Sequence, residues 1–148
     1  MRHIAARIVP ASAPDNLLCN DRLDHLRADQ ALVQAGAVLS DAVRSSDVHA
    51  RVGGEEFAVL LVQTNETNAF EVLERFRKAP ENTRITLKDG TERNGTELSI
   101  TVSIGYCDFF DGLHDVDHWF NLADHALYQA KAQGRNRIIK WVPEPVAR

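Results

Sequence analysis

Three stretches of the chain carry apolar residues at the 3.6-residue spacing of an amphipathic helix. They cover residues 28–43, 65–80 and 115–134. The apolar stripe of the first stretch consists of Leu32, Ala35, Leu39, Ala42 and Val43. That of the second stretch consists of Ala69, Val72, Leu73 and Phe76. Pro80 is expected to lie beyond the end of the second helix. The third helix is expected to begin near Asp115 or Asp117 and to end at Gly134.

Other stretches have the apolar pattern of strands. The runs "VHARV" and "FAVLLV" flank two glycines, which predicts a hairpin. A short strand over 6–9 is expected before a loop, and a last strand over 136–141. Since helices alternate with strands and hairpins, the predicted fold class is α/β or α+β with one central sheet. One further strand is predicted to bury one face, because Leu98, Ile100, Val102 and Ile104 alternate with polar residues.

The composition fits a single globular domain over residues 1–148, with 44% hydrophobic residues. The net charge of −4 argues against a general nucleic-acid-binding surface, so no nucleic-acid polymer is expected as a partner. No apolar run approaches the ~20 residues of a membrane span, and the first residues lack the apolar core of a secretory signal. Cys19 and Cys107 form no CxxC pair, so we expect free thiols and a cytoplasmic location.

Two adjacent carboxylates, Glu55 and Glu56, follow Gly53 and Gly54 at the tip of the predicted hairpin. In an exposed turn such a pair has no special meaning. Glycine, however, lets a ligand approach the backbone closely, and carboxylates there suit a divalent cation that carries phosphates. The local pattern leaves a solvated turn and a cation site equally open.

Two further charged pairs have structural and functional interpretations. Lys131 and Arg135 share a face at a helix end, where they can oppose the helix dipole or hold phosphates. Arg44 and Asp47 can form a salt bridge at the end of the first helix. In isolation, the structural interpretation is favoured for both pairs. His114 and His118 have helical spacing without an evident third ligand, so a zinc site is not expected.

Four motifs, taken together at their spacings, resemble the GGDEF domain, the diguanylate cyclase family. "RVGGEEF" resembles the signature loop in its Glu form, and "VSIGY" resembles the strand before the last helix. "ADHALYQAKAQGRNR" resembles the C-terminal signature, and "RSSD" lies at the spacing of the family's inhibitory RxxD site. The match covers about residues 20–141, whereas residues 1–19 match poorly, so the N-terminal part is expected to be truncated or divergent.

The resemblance implies a central, mostly antiparallel sheet flanked by helices, similar to a nucleotidyl-cyclase palm. It implies that two GTP molecules condense to cyclic di-GMP with release of two pyrophosphates, across a homodimer in a bacterial cytoplasm. It also implies Mg²⁺ or Mn²⁺ as cofactor, and a sensor or receiver domain in the full-length protein. By this resemblance Glu55 and Glu56 are the catalytic, metal-binding carboxylates; Gly53 and Gly54 leave room for phosphate; Lys131 and Arg135 contact the terminal phosphates; Asn20 and Asp29 contact guanine; and Arg44 and Asp47 bind product at an allosteric site.

The chain departs from the family in the segment before Asn20. An ungapped alignment places Ser12 at the leading metal-binding Asp and Leu17 at a phosphate-binding Lys; Pro14, Asp24 and Ala28 are further departures, whereas His25 and Asp29 are retained. Because one metal carboxylate and one phosphate cation are replaced, alternatives to a working cyclase remain. They are a catalytically impaired domain that senses cyclic di-GMP and a domain that only dimerises with active relatives.

Overall fold

A six-stranded sheet forms the centre of the molecule, with strand order β2-β3-β1-β5-β4 and β6 paired to β5. The computed structural model describes residues 2–12, 25–53, 55–87 and 96–145. All strand pairs are antiparallel except β5 with β6. In chain order the elements are β1 (Arg2–Ser12), α1 (His25–Ala42), β2 (Val48–Arg51), β3 (Phe57–Thr64), α2 (Glu66–Glu81), β4 (Arg84–Leu87), β5 (Thr96–Asp108), α3 (Val116–Ala132) and β6 (Ile138–Lys140).

Helices cover both faces of the sheet. On one face α1 and α2 pack against alternate residues of the central strands, such as Ile4 and Ile8 of β1. On the other face α3 packs against Ala5 and Cys107. The predicted central sheet, mostly antiparallel and flanked by helices, is therefore confirmed. None of the helices in the described ranges has the length and apolar character needed to cross a bilayer.

The first strand is longer than the sequence pattern predicted, since it runs from Arg2 to Ser12 instead of over 6–9. Pro10 favoured a loop because proline cannot donate to a ladder. Its pairing with Val102 of β5 shows why it is tolerated: the last β1–β3 pair is Ile8 with Phe57, so this end of β1 pairs with β5 alone.

The predicted end of the second helix was wrong, because Pro80 lies inside α2 and not beyond it. A proline removes one helical hydrogen bond, but here only the last turn is affected. Asn82 N–H donates to the Lys78 carbonyl at 2.9 Å, and Thr83 N–H donates to the Pro80 carbonyl at 3.2 Å. The Pro80 ring is buried, so apolar burial offsets the missing bond.

Strand β5 is buried on both faces, whereas its alternating sequence predicted that only one face is buried. Val102 and Ile104 belong to the core formed with α1 and α2, as expected, but Ser103 on the other face is only 1% exposed. The reason is that α3 lies directly on β5. A Cβ atom added to Gly105 would lie 2.1 Å from the backbone nitrogen of Leu127. The predicted start of α3 is confirmed, since Asp115 caps it by accepting from His118 N–H at 2.7 Å.

Candidate functional site

The turn between β2 and β3 carries the two adjacent glutamates. Val52 N–H donates to the Glu56 carbonyl at 2.9 Å and closes this turn. Both Glu55 and Glu56 are partly buried. Among the described residues, a Cβ atom added to Gly53 would meet only the Glu56 Cβ, at 4.0 Å. The absent side chain therefore leaves open space beside the carboxylates, where a ligand can approach the backbone.

Glu56 forms an ion pair with an arginine that sequence reasoning missed. Arg7 Nη1 donates to Glu56 Oε2 at 3.1 Å, and the two side chains are 20% and 33% exposed. Arg7 pairs with Ala58 across β1 and β3, so Glu56 is its diagonal neighbour on the same sheet face. The guanidinium carbon also lies 5.8 Å from the ring centre of Phe120. A charged residue inside the apolar run of β1 was the signal that could have revealed this contact.

The second group of charged residues lies at the end of α3. Lys131 is in the last helical turn, and Gly134, Arg135 and Asn136 follow with positive φ angles of 118°, 64° and 45°. Arg135 N–H donates to the Ala130 carbonyl at 2.9 Å, which terminates the helix. Within the described ranges, neither the Lys131 nor the Arg135 side chain makes an ion pair. Both cations therefore remain available to an anionic ligand.

A side-chain network holds this turn in its left-handed conformation. Asn136 accepts from Arg77 Nη1 at 3.0 Å and donates to Glu81 Oε2 at 2.7 Å. Its backbone N–H donates to the buried Ser103 Oγ at 3.2 Å. Arg77 is fixed by a bidentate pair with Glu74 at 2.6 and 3.0 Å, and these hydrogen bonds raise the pKa of Arg77. The conformation of the residue next to Arg135 is thus set by α2.

The sheet register brings the two groups to the same face. Ser103, which holds the turn after α3, pairs with Val9 of β1. The neighbouring residue Ile8 pairs with Phe57, which directly follows Glu56. Ser103 and Glu56 thus flank the same stretch of β1. Because adjacent strands are ~4.8 Å apart, two strand spacings separate them by about 10 Å.

Arg44 and Asp47 contact each other. Arg44 Nε and Nη2 donate to the two Asp47 carboxylate oxygens at 2.7 and 2.8 Å. Val62 N–H donates to the same carboxylate at 3.1 Å. Burial by itself raises the pKa of Asp47, but the hydrogen bonds from Arg44 and Val62 outweigh it and the net shift is downward. The Asp47 side chain is 0% exposed and that of Arg44 is 31% exposed, so only the arginine offers surface to a ligand.

The remaining predicted residues are only partly described. Asn20 and Gly54 lie outside the described ranges, as do Leu17, Pro14 and Asp24. Asp29, in α1, is 70% exposed and lies 3.8 Å from Arg51 Nη2, at the end of β2. Ser12, the last residue of β1, pairs with Ile100. The structure thus places the end of β1 beside β5, and no carboxylate occurs at position 12.

The donor set at the hairpin fits a divalent cation that substrate phosphates complete. Glu55 and Glu56 supply hard oxygen ligands, and Mg²⁺ is commonly held by one or two carboxylates together with phosphates. Within the described residues, no group of three His, Cys, Asp or Glu side chains gathers as a metal cage. Among the described residues, only the Glu56 Cβ lies near the space that a side chain at Gly53 would occupy.

Comparison with known proteins shows the family of the chain. The family profile described as "Diguanylate cyclase, GGDEF domain" matches residues 18–137. Diguanylate cyclase DosC of Escherichia coli (strain K12) is 35% identical over 122 residues, which cover 82% of this chain and 25% of DosC. The chain therefore belongs to the GGDEF domain family of diguanylate cyclases. It spans 32% or less of the length of the curated relatives DosC and YhcK of Bacillus subtilis (strain 168).

Solved structures share the fold over almost the whole chain. The GGDEF domain of PA1120 (YfiN or TpbB) from Pseudomonas aeruginosa aligns with a TM-score of 0.81 and 27% identity, over 97% of this chain and 84% of that chain. The active GGEEF domain of a diguanylate cyclase from Vibrio cholerae aligns with a TM-score of 0.76 and 25% identity, over 97% and 85% of the two chains. The latter shares the Glu form of the signature.

Proposed function

We propose that the chain is a diguanylate cyclase domain that binds one GTP and condenses it with the GTP of a second copy. The products are cyclic di-GMP and two pyrophosphates. The observation that carries the proposal is the arrangement around β1, where Glu55 and Glu56 lie on one side and Lys131 and Arg135 on the other. As GTP is a cytoplasmic metabolite, we place the domain in the bacterial cytoplasm, with a sensor or receiver domain in the full-length protein.

Positioning and charge neutralisation are the tasks that phosphoryl transfer sets for a protein. Lys131, a point charge, and Arg135, a planar fork, contact the terminal phosphates and neutralise the leaving pyrophosphate. Asp29, with Asn20, hydrogen-bonds guanine and fixes which nucleotide enters. Each 3′-hydroxyl must approach the α-phosphate held by the other domain, so the reaction requires a homodimer.

Glu55 and Glu56 would hold Mg²⁺ or Mn²⁺. When bound, such an ion neutralises phosphate charge and lowers the pKa of the attacking hydroxyl. Gly53 and Gly54 leave the phosphates room beside these carboxylates. With Ser12 at the position of a family carboxylate, the ion has fewer protein ligands, so we expect higher metal requirements than in relatives with the complete set.

Product binding at the RxxD site is part of the proposal, with separate roles for its two residues. The Arg44 guanidinium is partly exposed and contacts cyclic di-GMP, whereas the buried Asp47 orients that guanidinium. Calorimetry with cyclic di-GMP tests this assignment on wild type and Arg44→Lys, which keeps the charge but loses the planar fork. Equal affinities of the two proteins would exclude Arg44 as the product contact.

The activity test is direct. Purified protein incubated with GTP and Mg²⁺ is expected to form cyclic di-GMP and pyrophosphate, measured by chromatography. Glu55→Gln should lower the rate at least about 100-fold, because a charge-stabilising group is lost. Arg75→Ala, on the exposed face of α2, should leave the rate unchanged. Wild-type turnover that survives Glu55→Gln would remove Glu55 from its proposed role.

A second candidate is a nonenzymatic cyclic di-GMP sensor, which the serine at position 12 and the Arg7–Glu56 pair favour. Both features reduce the negative charge that the site offers to a metal. This candidate predicts cyclic di-GMP binding without turnover. A domain that serves only as a dimerisation partner predicts no nucleotide binding, so thermal shift assays with GTP and cyclic di-GMP separate the three functions.

A further inference from the structure

Arg7 is an unusual residue for its position. It lies inside the central strand, and its neighbours Ala6 and Ile8 are 0% exposed. Its own side chain is only 20% exposed. A buried arginine is costly unless it is paired. In the described part of the chain, Arg7 Nε is buried without a hydrogen-bond partner, which adds to this cost.

Two contacts offset the cost of burying Arg7. Its Nη1 donates to Glu56 Oε2 at 3.1 Å, and its guanidinium carbon lies 5.8 Å from the ring centre of Phe120. The carboxylate contact is the stronger of the two, because both partners are charged and water is partly excluded. Glu56 therefore serves as the counter-ion of Arg7.

We propose that Arg7 competes with the divalent cation for Glu56, so that a cation binds both carboxylates only when Glu56 leaves Arg7. The inference rests on the proposed role of Glu55 and Glu56 in holding the metal. Its physical basis is that an oxygen of Glu56 that accepts from a guanidinium is not free to coordinate, and a fixed positive charge repels an entering cation. Arg7 is thus a positioning residue that sets the metal affinity of the hairpin.

The experiment measures Mn²⁺ affinity on the purified chain with a non-hydrolysable GTP analogue, by the electron paramagnetic resonance signal of free Mn²⁺. In Arg7→Leu the leucine side chain can pack on Phe120 but carries no charge, so the variant should bind Mn²⁺ roughly three- to tenfold more tightly. Arg7→Gln is the second variant, because its polar end suits a partly exposed site if leucine impairs folding. It should tighten binding in the same direction. Unchanged affinity in a folded variant would overturn the proposal.

A matched control is available on the same strand. Arg2 forms an ion pair with Asp108 at 3.0 Å, at the opposite end of β1 from the hairpin. Arg2→Leu removes the same charge and an ion pair of similar length. Its Mn²⁺ affinity should stay within twofold of wild type, and an increase equal to that of Arg7→Leu would show a nonspecific charge effect and contradict the proposal.

A double-mutant cycle separates two effects of Arg7: competition with the cation for the Glu56 carboxylate, and charge repulsion of the cation through space. In a Glu56→Gln background, Arg7→Leu should no longer tighten Mn²⁺ binding, since the exchangeable carboxylate is gone. The same gain in both backgrounds would refute the exchange. Glu55→Gln and Glu56→Gln also test the underlying function: if neither weakens Mn²⁺ binding, the proposed metal site fails. If they weaken it and Arg7→Leu has no effect, only the Arg7 inference fails.

Discussion

Replacing Arg44 by alanine tests how strongly one ion pair holds the first helix to the sheet. The pair is bidentate, with bonds of 2.7 and 2.8 Å, and the Asp47 side chain is fully buried. Asp47 also accepts from Val62 N–H at 3.1 Å, so it joins the end of α1 to β3. In Arg44→Ala the carboxylate keeps its burial and the Val62 bond but loses its counter-ion.

The expected loss follows from the burial of the two partners. Removing one member of a fully buried pair costs about 3–5 kcal/mol, because the remaining charge is uncompensated. Arg44 is 31% exposed, so water can partly replace it, and we expect about 2–3 kcal/mol. For a protein of 148 residues this corresponds to a lowering of Tm by about 5–10 °C.

The loss should depend on pH in a definite direction. In the wild type the pKa of Asp47 is below its ordinary value of 3.8, so its stabilising effect is complete above that value and is lost as pH falls through the folded pKa. In Arg44→Ala, burial is opposed only by the backbone hydrogen bonds to the carboxylate, so we expect the pKa of Asp47 to rise above its ordinary value. The charged form then destabilises the fold at neutral pH, and this penalty disappears on protonation. The difference between the two proteins should therefore shrink as pH falls from 7 towards 4.

Urea unfolding followed by circular dichroism at pH 7 and at pH 4 measures both quantities. The control is Arg75→Ala, which removes an exposed arginine of α2 for which no ion pair occurs among the described residues. That variant should stay within about 0.5 kcal/mol of wild type. A loss below about 0.5 kcal/mol in Arg44→Ala, or a loss of equal size at both pH values, would refute the reasoning.

Three further changes probe the packing around the site. Gly105→Ala places a Cβ 2.1 Å from the Leu127 nitrogen, so its free energy of unfolding, measured in urea, should fall by more than ~3 kcal/mol, whereas Gly53→Ala, in open space, should fold normally. In a Cys19→Ser background, Ellman's reagent at pH 8 should modify Cys107 only on unfolding, since burial raises its pKa to about 11; rapid labelling of native protein would contradict this. Asn136→Ala should weaken GTP binding about threefold or more and should also lower the stability of the fold. Asn136→Gly suits the φ of 45°, so it should restore stability but leave GTP binding weak.

The elements that the sequence predicted best are those whose signal is local. The stripe from Leu32 to Ala42 identified α1, and two glycines between apolar runs identified the β2–β3 hairpin. The length of β1 could not be predicted in this way. Pro10 argues for a loop in any local window, and only its pairing with β5, whose Val102 lies far away in the sequence, makes a strand possible.

The same distinction applies to the site. Glu55, Glu56, Lys131 and Arg135 stand in motifs that can be identified from spacing, and the sheet register brings these motifs to the same face. Arg7 has no motif, because its importance comes from a diagonal contact across two strands. The network around Asn136 is similar, since its partners come from α2 and β5 and share no sequence pattern with it.

The charge balance of the site separates nucleotide binding from turnover. Among the described residues assigned to the site, three cationic side chains, Arg7, Lys131 and Arg135, outnumber the carboxylates of Glu55 and Glu56. An excess of positive charge favours a polyanionic triphosphate even when little metal is bound. In the proposed cyclase, turnover needs the carboxylates to hold an ion at the reacting phosphate, and Glu56 already has Arg7 as a partner. Substitutions at Arg7 should therefore alter metal dependence more than nucleotide affinity, and a variant that changed both equally would show that the two functions share one charge.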